Sequence, residues 1–163
     1  MDDGIVRMGE VVFSQPGAPT LRALGLGSCV ALCVFDPAVK LGCMAHIMLP
    51  EARDPDTCDL GRYADTAVPY VIEQMTAKGA VKSRLRAAIA GGAQLFHVEG
   101  APMHLDVGRR NAELVKQHLA ESKLRLVAED VGNSYGRTVV FDVSTGAVTV
   151  KQVGGVERRL ADL

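Results

Sequence analysis

Neither sign of charge is in excess in this chain. Lysine and arginine total 18 against 19 aspartates and glutamates, for a net charge of −1. Nothing electrostatic therefore points to nucleic acid. No apolar run approaches the roughly 18 residues of a membrane span. The start, Met1-Asp2-Asp3-Gly4, lacks the basic and apolar regions of a signal peptide, so a cytoplasmic location is expected. The four cysteines are then expected to be reduced, which excludes a disulfide framework and leaves catalysis or metal binding for any that matter. No repeat, low-complexity stretch or linker divides the 163 residues, enough for one domain with a proper core. The expectation is a single domain over residues 1–153, with residues 154–163 as a loose tail or short helix. No Gly-x-x-x-x-Gly-Lys-[Ser/Thr] occurs, and Gly25-x-Gly27 is not followed by a helical pattern, which counts against nucleotide folds.

What is present is a series of short apolar segments. Residues 5–13, 20–24, 29–35, 41–49, 85–90, 124–131, 137–143 and 147–153 predict strands. Ala64, Ala67, Val68, Val71, Ile72 and Met75 repeat at helical spacing and predict a helix over residues 64–78, stopped at Lys78-Gly79. Val107, Asn111, Leu114, Val115 and His118 mark a second helix ending near Glu121. Residues 51–63 read as an exposed polar loop, and a long loop runs through Gly100 and Pro102. Most neighbouring strands are joined by tight turns, so the expected class is α+β: a mostly antiparallel sheet or sandwich core with two main helices against one face.

Cys29 ends a glycine-rich run, Leu24-Gly25-Leu26-Gly27-Ser28-Cys29, and the hairpin of residues 29–35 and 41–49 carries the chain back to His46. A turn centred between Pro37 and Ala38 sets Cys29 opposite His46, with Cβ atoms about 4.5–5.5 Å apart. A turn one residue longer sets Cys29 opposite Ile47 and sends His46 to the other face. A thiol beside an imidazole is the minimum equipment for cysteine nucleophilic catalysis. The glycines let the backbone approach a ligand closely, and N–H groups at Ser28 and Cys29 are candidates to hold an oxyanion. The alternative is a plain turn followed by a buried small hydrophobe.

Metal is the competing chemistry. Cys29, Cys33, Cys43 and His46 are four plausible zinc ligands, but Cys43 falls on the face of the ladder opposite to Cys29, Cys33 and His46, and the spacings match no common knuckle. No metal or organic cofactor is expected. Cys58 reads as an incidental exposed thiol, His97 and His104 as solvated loop residues, and His118 as half-buried on its helix.

Several blocks, taken in order, resemble the CheD family of chemoreceptor glutamine deamidases. They are Leu24-Gly25-Leu26-Gly27-Ser28-Cys29-Val30, His46-Ile47-Met48-Leu49-Pro50, Arg62-Tyr63-Ala64-Asp65-Thr66-Ala67, Ala90-Gly91-Gly92-Ala93, Gly108-Arg109-Arg110-Asn111, Ala128-Glu129-Asp130-Val131-Gly132 and Gly136-Arg137. The resemblance spans nearly the whole chain. It implies a β-sandwich core similar to bacterial cysteine deamidase toxins, a catalytic Cys29 and His46, and chemoreceptor cytoplasmic helices as partners. It also implies that the CheC phosphatase is a possible partner. Family members often carry, six residues before the cysteine, a threonine that orients the histidine. Here that position is Ala23, which leaves a backbone carbonyl or another side chain to fix the His46 tautomer.

The function expected from the resemblance is hydrolysis of receptor glutamine side chains to glutamate, with Gly27 and Ser28 in the oxyanion loop. A thiol reactive near neutral pH is expected of a working pair. The rival expectation is a weakly catalytic or non-catalytic partner that stimulates CheC, with Leu95 and Phe96 as candidate contact residues for either role.

Overall fold

The structure is a computed structural model that describes residues 3–95 and 106–163. Phe96, His97, His104 and the rest of the long loop lie outside the described residues. Nine strands and two main helices are present among those described: β1 (Val11–Ser14), β2 (Leu21–Leu26), β3 (Val30–Asp36), β4 (Leu41–Ile47), α1 (Ala64–Ala77), β5 (Arg86–Gly91), α2 (Val107–Glu121), β6 (Arg125–Val131), β7 (Arg137–Asp142), β8 (Ala147–Gln152) and β9 (Glu157–Asp162). They form a five-stranded sheet in the order β1-β4-β3-β5-β6 and a four-stranded sheet in the order β2-β7-β8-β9. Every pairing is antiparallel except β5 with β6, which are parallel and separated in sequence by α2. This is the expected α+β class.

Three layers result. β3 and β4 read as continuous apolar runs because both their faces are covered. Val30, Leu32, Val34, Cys43, Ala45 and Ile47 face the helices and meet Ala67, Val68, Val71 and Met75 of α1 and Val115 and Leu119 of α2. Ala31, Cys33, Phe35 and Met44 face the second sheet and meet Leu21, Ala23, Val139, Phe141 and Val148. Each fully buried aliphatic side chain of this kind contributes about 1.5–3 kcal/mol. Phe35 and Phe141 join the sheets edge to face, with centroids 5.8 Å apart.

Three expectations are corrected. The single strand expected over residues 5–13 breaks near Gly9, which has φ +81°. Ile5 bridges Arg22 of β2, whereas residues from Val11 onward pair with β4, so this segment crosses from one sheet to the other. Residues 154–163 are not a tail: they hold β9, an edge strand whose exposed arginines and glutamate hide any alternation. The buried stripe of α2 is Gly108, Asn111, Ala112, Val115 and Leu119, rotated from the one expected, because its closest approach is made by small residues that hydrophobic counting passes over.

Candidate active site

The β3–β4 hairpin fixes the relation between the two candidate catalytic residues. Asp36 pairs with Leu41 and Val30 with Ile47, so the connection is residues 37–40, two more than the turn centred between Pro37 and Ala38. Asp36 Oδ1 accepts the Ala38 N–H at 3.0 Å, and Lys40 takes φ +51° to close the loop. His46 therefore lies opposite Ala31, not Cys29. A shift of two residues leaves every side chain on its own face. Cys29 and His46 both face the second sheet and are diagonal neighbours, about 7–8 Å apart along the ladder. Ala31, the smallest chiral side chain, lies opposite His46 between them.

His46 is held on three sides. It is 5% exposed. Its backbone N–H donates to Glu10 O at 3.0 Å, and its carbonyl accepts the Gly9 N–H at 2.8 Å. Its Nδ1 lies 2.9 Å from Val6 O. A carbonyl only accepts, so Nδ1 carries the proton and Nε2 presents a lone pair. The segment around Val6 is itself pinned to β2 by the Val6 N–H to Arg22 O at 2.7 Å and the Arg22 N–H to Gly4 O at 2.8 Å. Ala23 is fully buried in the core between the sheets, and the orienting group is the Val6 carbonyl. No sequence signal could have named it, because any residue offers a carbonyl.

The Cys29 turn is built on carbonyls that are all taken. Gly27 O accepts from the Ala93 N–H at 2.9 Å and Cys29 O from the Gly92 N–H at 2.8 Å. Ser28 O accepts from Asn111 Nδ2 at 2.9 Å. Gly91 has φ +116°, and a Cβ there would collide with the Cys29 carbonyl, so the Gly91-Gly92 pair is what lets the turn at the end of β5 press against Cys29. Among the described residues no acceptor takes the N–H of Ser28 or of Cys29. Cys29 is half-buried and Ser28 is exposed. An open cleft beside the turn is lined by Ser28, Ala93, Gln94, Leu95, Asp106 and Val107.

Electrostatics bears on the expectation of a thiol reactive near neutral pH. Burial pushes the Cys29 thiol above its ordinary value of 9.0. Burial also pulls His46 below 6.5, against the opposing effects of the Val6 carbonyl and Glu10. Both shifts favour the neutral thiol and the neutral imidazole over a thiolate–imidazolium pair.

The other candidates are placed as follows. Cys33 lies in the core between the sheets and Cys43 in the core under the helices, paired with Met44 and Val34 rather than with the residues a shorter turn implies. On opposite faces they do not converge on one ion. Burial pushes both thiols up. Cys58 is exposed. Leu95 is 47% exposed and Leu24, three residues before Gly27, is 51% exposed. A Cβ on Gly27 would lie 2.9 Å from Leu95 Cδ1, so Leu95 packs over that glycine. Asn111 is the residue that sequence reasoning passed over. The sequence marks it only as part of the second helix, and an amide at a position that must be buried is the available signal.

Comparisons with known proteins converge. Residues 48–152 match the CheD family, described as CheD chemotactic sensory transduction. The chain is 43% identical over 155 residues to the chemoreceptor glutamine deamidase CheD of Thermotoga maritima, an alignment covering 94% of each chain. It is likewise 43% identical to a probable chemoreceptor glutamine deamidase CheD of Desulfitobacterium hafniense, over 94% of this chain and 97% of the relative. A third similar protein, from Symbiobacterium thermophilum and also named a probable chemoreceptor glutamine deamidase CheD, is 41% identical over 95% of each chain. Spans this wide take in positions 29 and 46, which lie upstream of the family match.

Proposed function

Because this chain belongs to the CheD family, we propose that it hydrolyses glutamine side chains of chemoreceptors to glutamate, with Cys29 as nucleophile and His46 as general base. The observation that carries the mechanism is the His46 ring, its Nδ1 bound to Val6 O at 2.9 Å and its Nε2 free to take a proton on the face it shares with Cys29.

The resting thiol is neutral, so deprotonation accompanies attack. His46 Nε2 takes the Cys29 proton as the sulfur bonds to the side-chain amide carbon of glutamine. The carbonyl π electrons move to oxygen, and the unengaged N–H groups of Ser28 and Cys29 stabilise that charge. The tetrahedral species collapses with loss of ammonia, which receives the proton held by His46. Water then adds to the thioester carbon, His46 taking its proton and returning it to the departing sulfur. The products are glutamate, ammonia and the free thiol. Thiol, imidazole, N–H groups and water complete the cycle.

The substrate side follows from the surface. Ser28 is exposed and the adjacent cleft is open, which suits a glutamine that protrudes from a receptor helix. Leu24 and Leu95, 51% and 47% exposed, flank the turn and offer that helix an apolar contact. The same pair would serve the CheC phosphatase if it docks here. Receptor cytoplasmic helices as substrate imply action in the cytoplasm, and no described helix is long and apolar enough to cross a membrane. Ammonia release from a receptor cytoplasmic fragment tests the reading: it is expected with the unmutated protein and lost with Cys29→Ala and with His46→Ala. Release that survives purified Cys29→Ala contradicts it.

A further inference from the structure

One enclosed polar side chain touches both halves of this site. Asn111 is fully buried on the inner face of α2. Its Nδ2 donates to Ser28 O and to Met48 O, each at 2.9 Å. Ser28 immediately precedes Cys29, and Met48 follows His46 by two residues. Both carbonyls lie just past the Val30–Ile47 pair that ends the β3–β4 ladder. Beyond that pair the strands stop satisfying each other, and the Met48 N–H turns away to Arg62 O at 2.9 Å. Two part-buried acceptors would otherwise face one another without a donor, an arrangement that drives them apart. A primary amide is the neutral group that brings two donors on one nitrogen to such a place. A lysine or arginine would do so only by carrying charge into a fully enclosed position.

The helix is brought close for this contact. A Cβ on Gly108 would collide with the carbonyl of Ala93 and lie 2.8 Å from the carbonyl carbon of Gly92. Gly92 and Ala93 are the residues whose N–H groups hold the Cys29 and Gly27 carbonyls. The Asn111 Oδ1 has no partner among the described residues. The side chain's hydrogen bonds thus go entirely to the two segments that carry Cys29 and His46, and none to its own helix.

We propose that Asn111 is a positioning residue that sets the spacing of the Cys29 thiol and the His46 imidazole by replacing the next rung of the hairpin ladder. This rests on the reading of Cys29 and His46 as the reacting pair. Asn111→Ala removes both donors. Asn111→Asp keeps size and shape while turning a carboxylate toward two carbonyls, so a packing role would tolerate it and a donor role would not.

The test is receptor-fragment deamidation kinetics with the pH profile of Cys29 alkylation by iodoacetamide. The control is Leu119→Ala, a buried residue on the same helix that loses packing but no hydrogen bond to the site. Both Asn111 variants are expected to lower kcat by about 10²-fold with little change in KM, the scale of a misplacement near 1 Å. They are also expected to shift the alkylation profile of Cys29. Leu119→Ala should leave both unchanged per folded molecule. If Asn111→Ala fails to fold, Asn111→Ser, which reaches at most one of the two carbonyls, takes its place with the same expectation. Unchanged kcat and an unchanged alkylation profile in a folded Asn111 variant, with Cys29→Ala inactive, overturn this proposal alone. An active Cys29→Ala overturns the underlying reading instead.

Discussion

Nδ1 of His46 lies 2.9 Å from the carbonyl oxygen of Val6, forty residues earlier in the chain. That contact fixes the tautomer and leaves Nε2 as the base. It also makes the first residues of the chain part of the site. Removing residues 1–7 takes away the Val6 carbonyl that the ring bonds, together with the buried Val6 side chain, and spares the sequence of β1, β4 and Cys29. Turnover of the truncated protein is expected to fall by about 10²-fold, the scale of a lost orientation, with the circular dichroism spectrum retained. Undiminished turnover would show that something other than Val6 orients His46.

The pH dependence follows from two opposed shifts. His46 lies below its ordinary 6.5, so the acid limb of kcat/KM is expected to have its midpoint below that value. The unfolded chain binds a proton at His46 before the folded one does, so stability falls as pH drops through 6.5. Cys29 lies above 9.0, so iodoacetamide should react slowly at neutral pH and faster as pH rises past that value. A rate already at its plateau near neutral pH would mean a resting ion pair.

Cys33 shares the face of Cys29, about 13 Å further along the strand at roughly 3.3 Å per residue. Cys33→Ala is expected to keep deamidation within about twofold of the unmutated rate, since it is too far to reach the reacting atoms. Cys33→Ser should lower stability by about 1–3 kcal/mol, because it buries a hydroxyl in an apolar layer, readable as a shifted urea midpoint. A large loss of activity in a folded Cys33→Ala protein would restore a metal role.

Arg137 is fully buried, with guanidinium nitrogens 3.2 and 3.3 Å from Asp130 Oδ1 and its centre 4.5 Å above the Tyr135 ring. It also donates to Gly91 O at 3.4 Å, on the turn beneath Cys29. Arg137→Ala strands Asp130 in the interior and should cost about 3–5 kcal/mol in urea unfolding. Arg158, whose side chain is half exposed, bonds the other Asp130 oxygen at 3.0 Å. Its removal should cost under about 1 kcal/mol. Equal losses from the two would mean that burial does not set the strength of this cluster.

Much of this was legible in the residues. The stripe of Ala64, Ala67, Val68, Val71 and Met75 named α1 because one face of a helix must be covered, and the runs on either side of Asp36-Pro37 named the hairpin. The parity of Cys29 and His46 survived a turn two residues longer than expected, since side chains alternate with period two. Features that depend on the backbone were not legible. Val6 O acts through an atom common to all residues, β9 is an edge strand of mostly charged residues, and the crossing near Gly9 depends on which sheet each half of a segment joins. The upward shift of the Cys29 thiol depends on burial by elements distant in sequence.

The measurement closest to the central claim is peptide mass spectrometry of a chemoreceptor cytoplasmic fragment incubated with this protein and, separately, with Cys29→Ala. The account predicts a gain of about one dalton, the change from amide to acid, at particular glutamines with the unmutated protein only. The same gain with purified Cys29→Ala, or none with the folded, reduced protein on its cognate receptors, would contradict it.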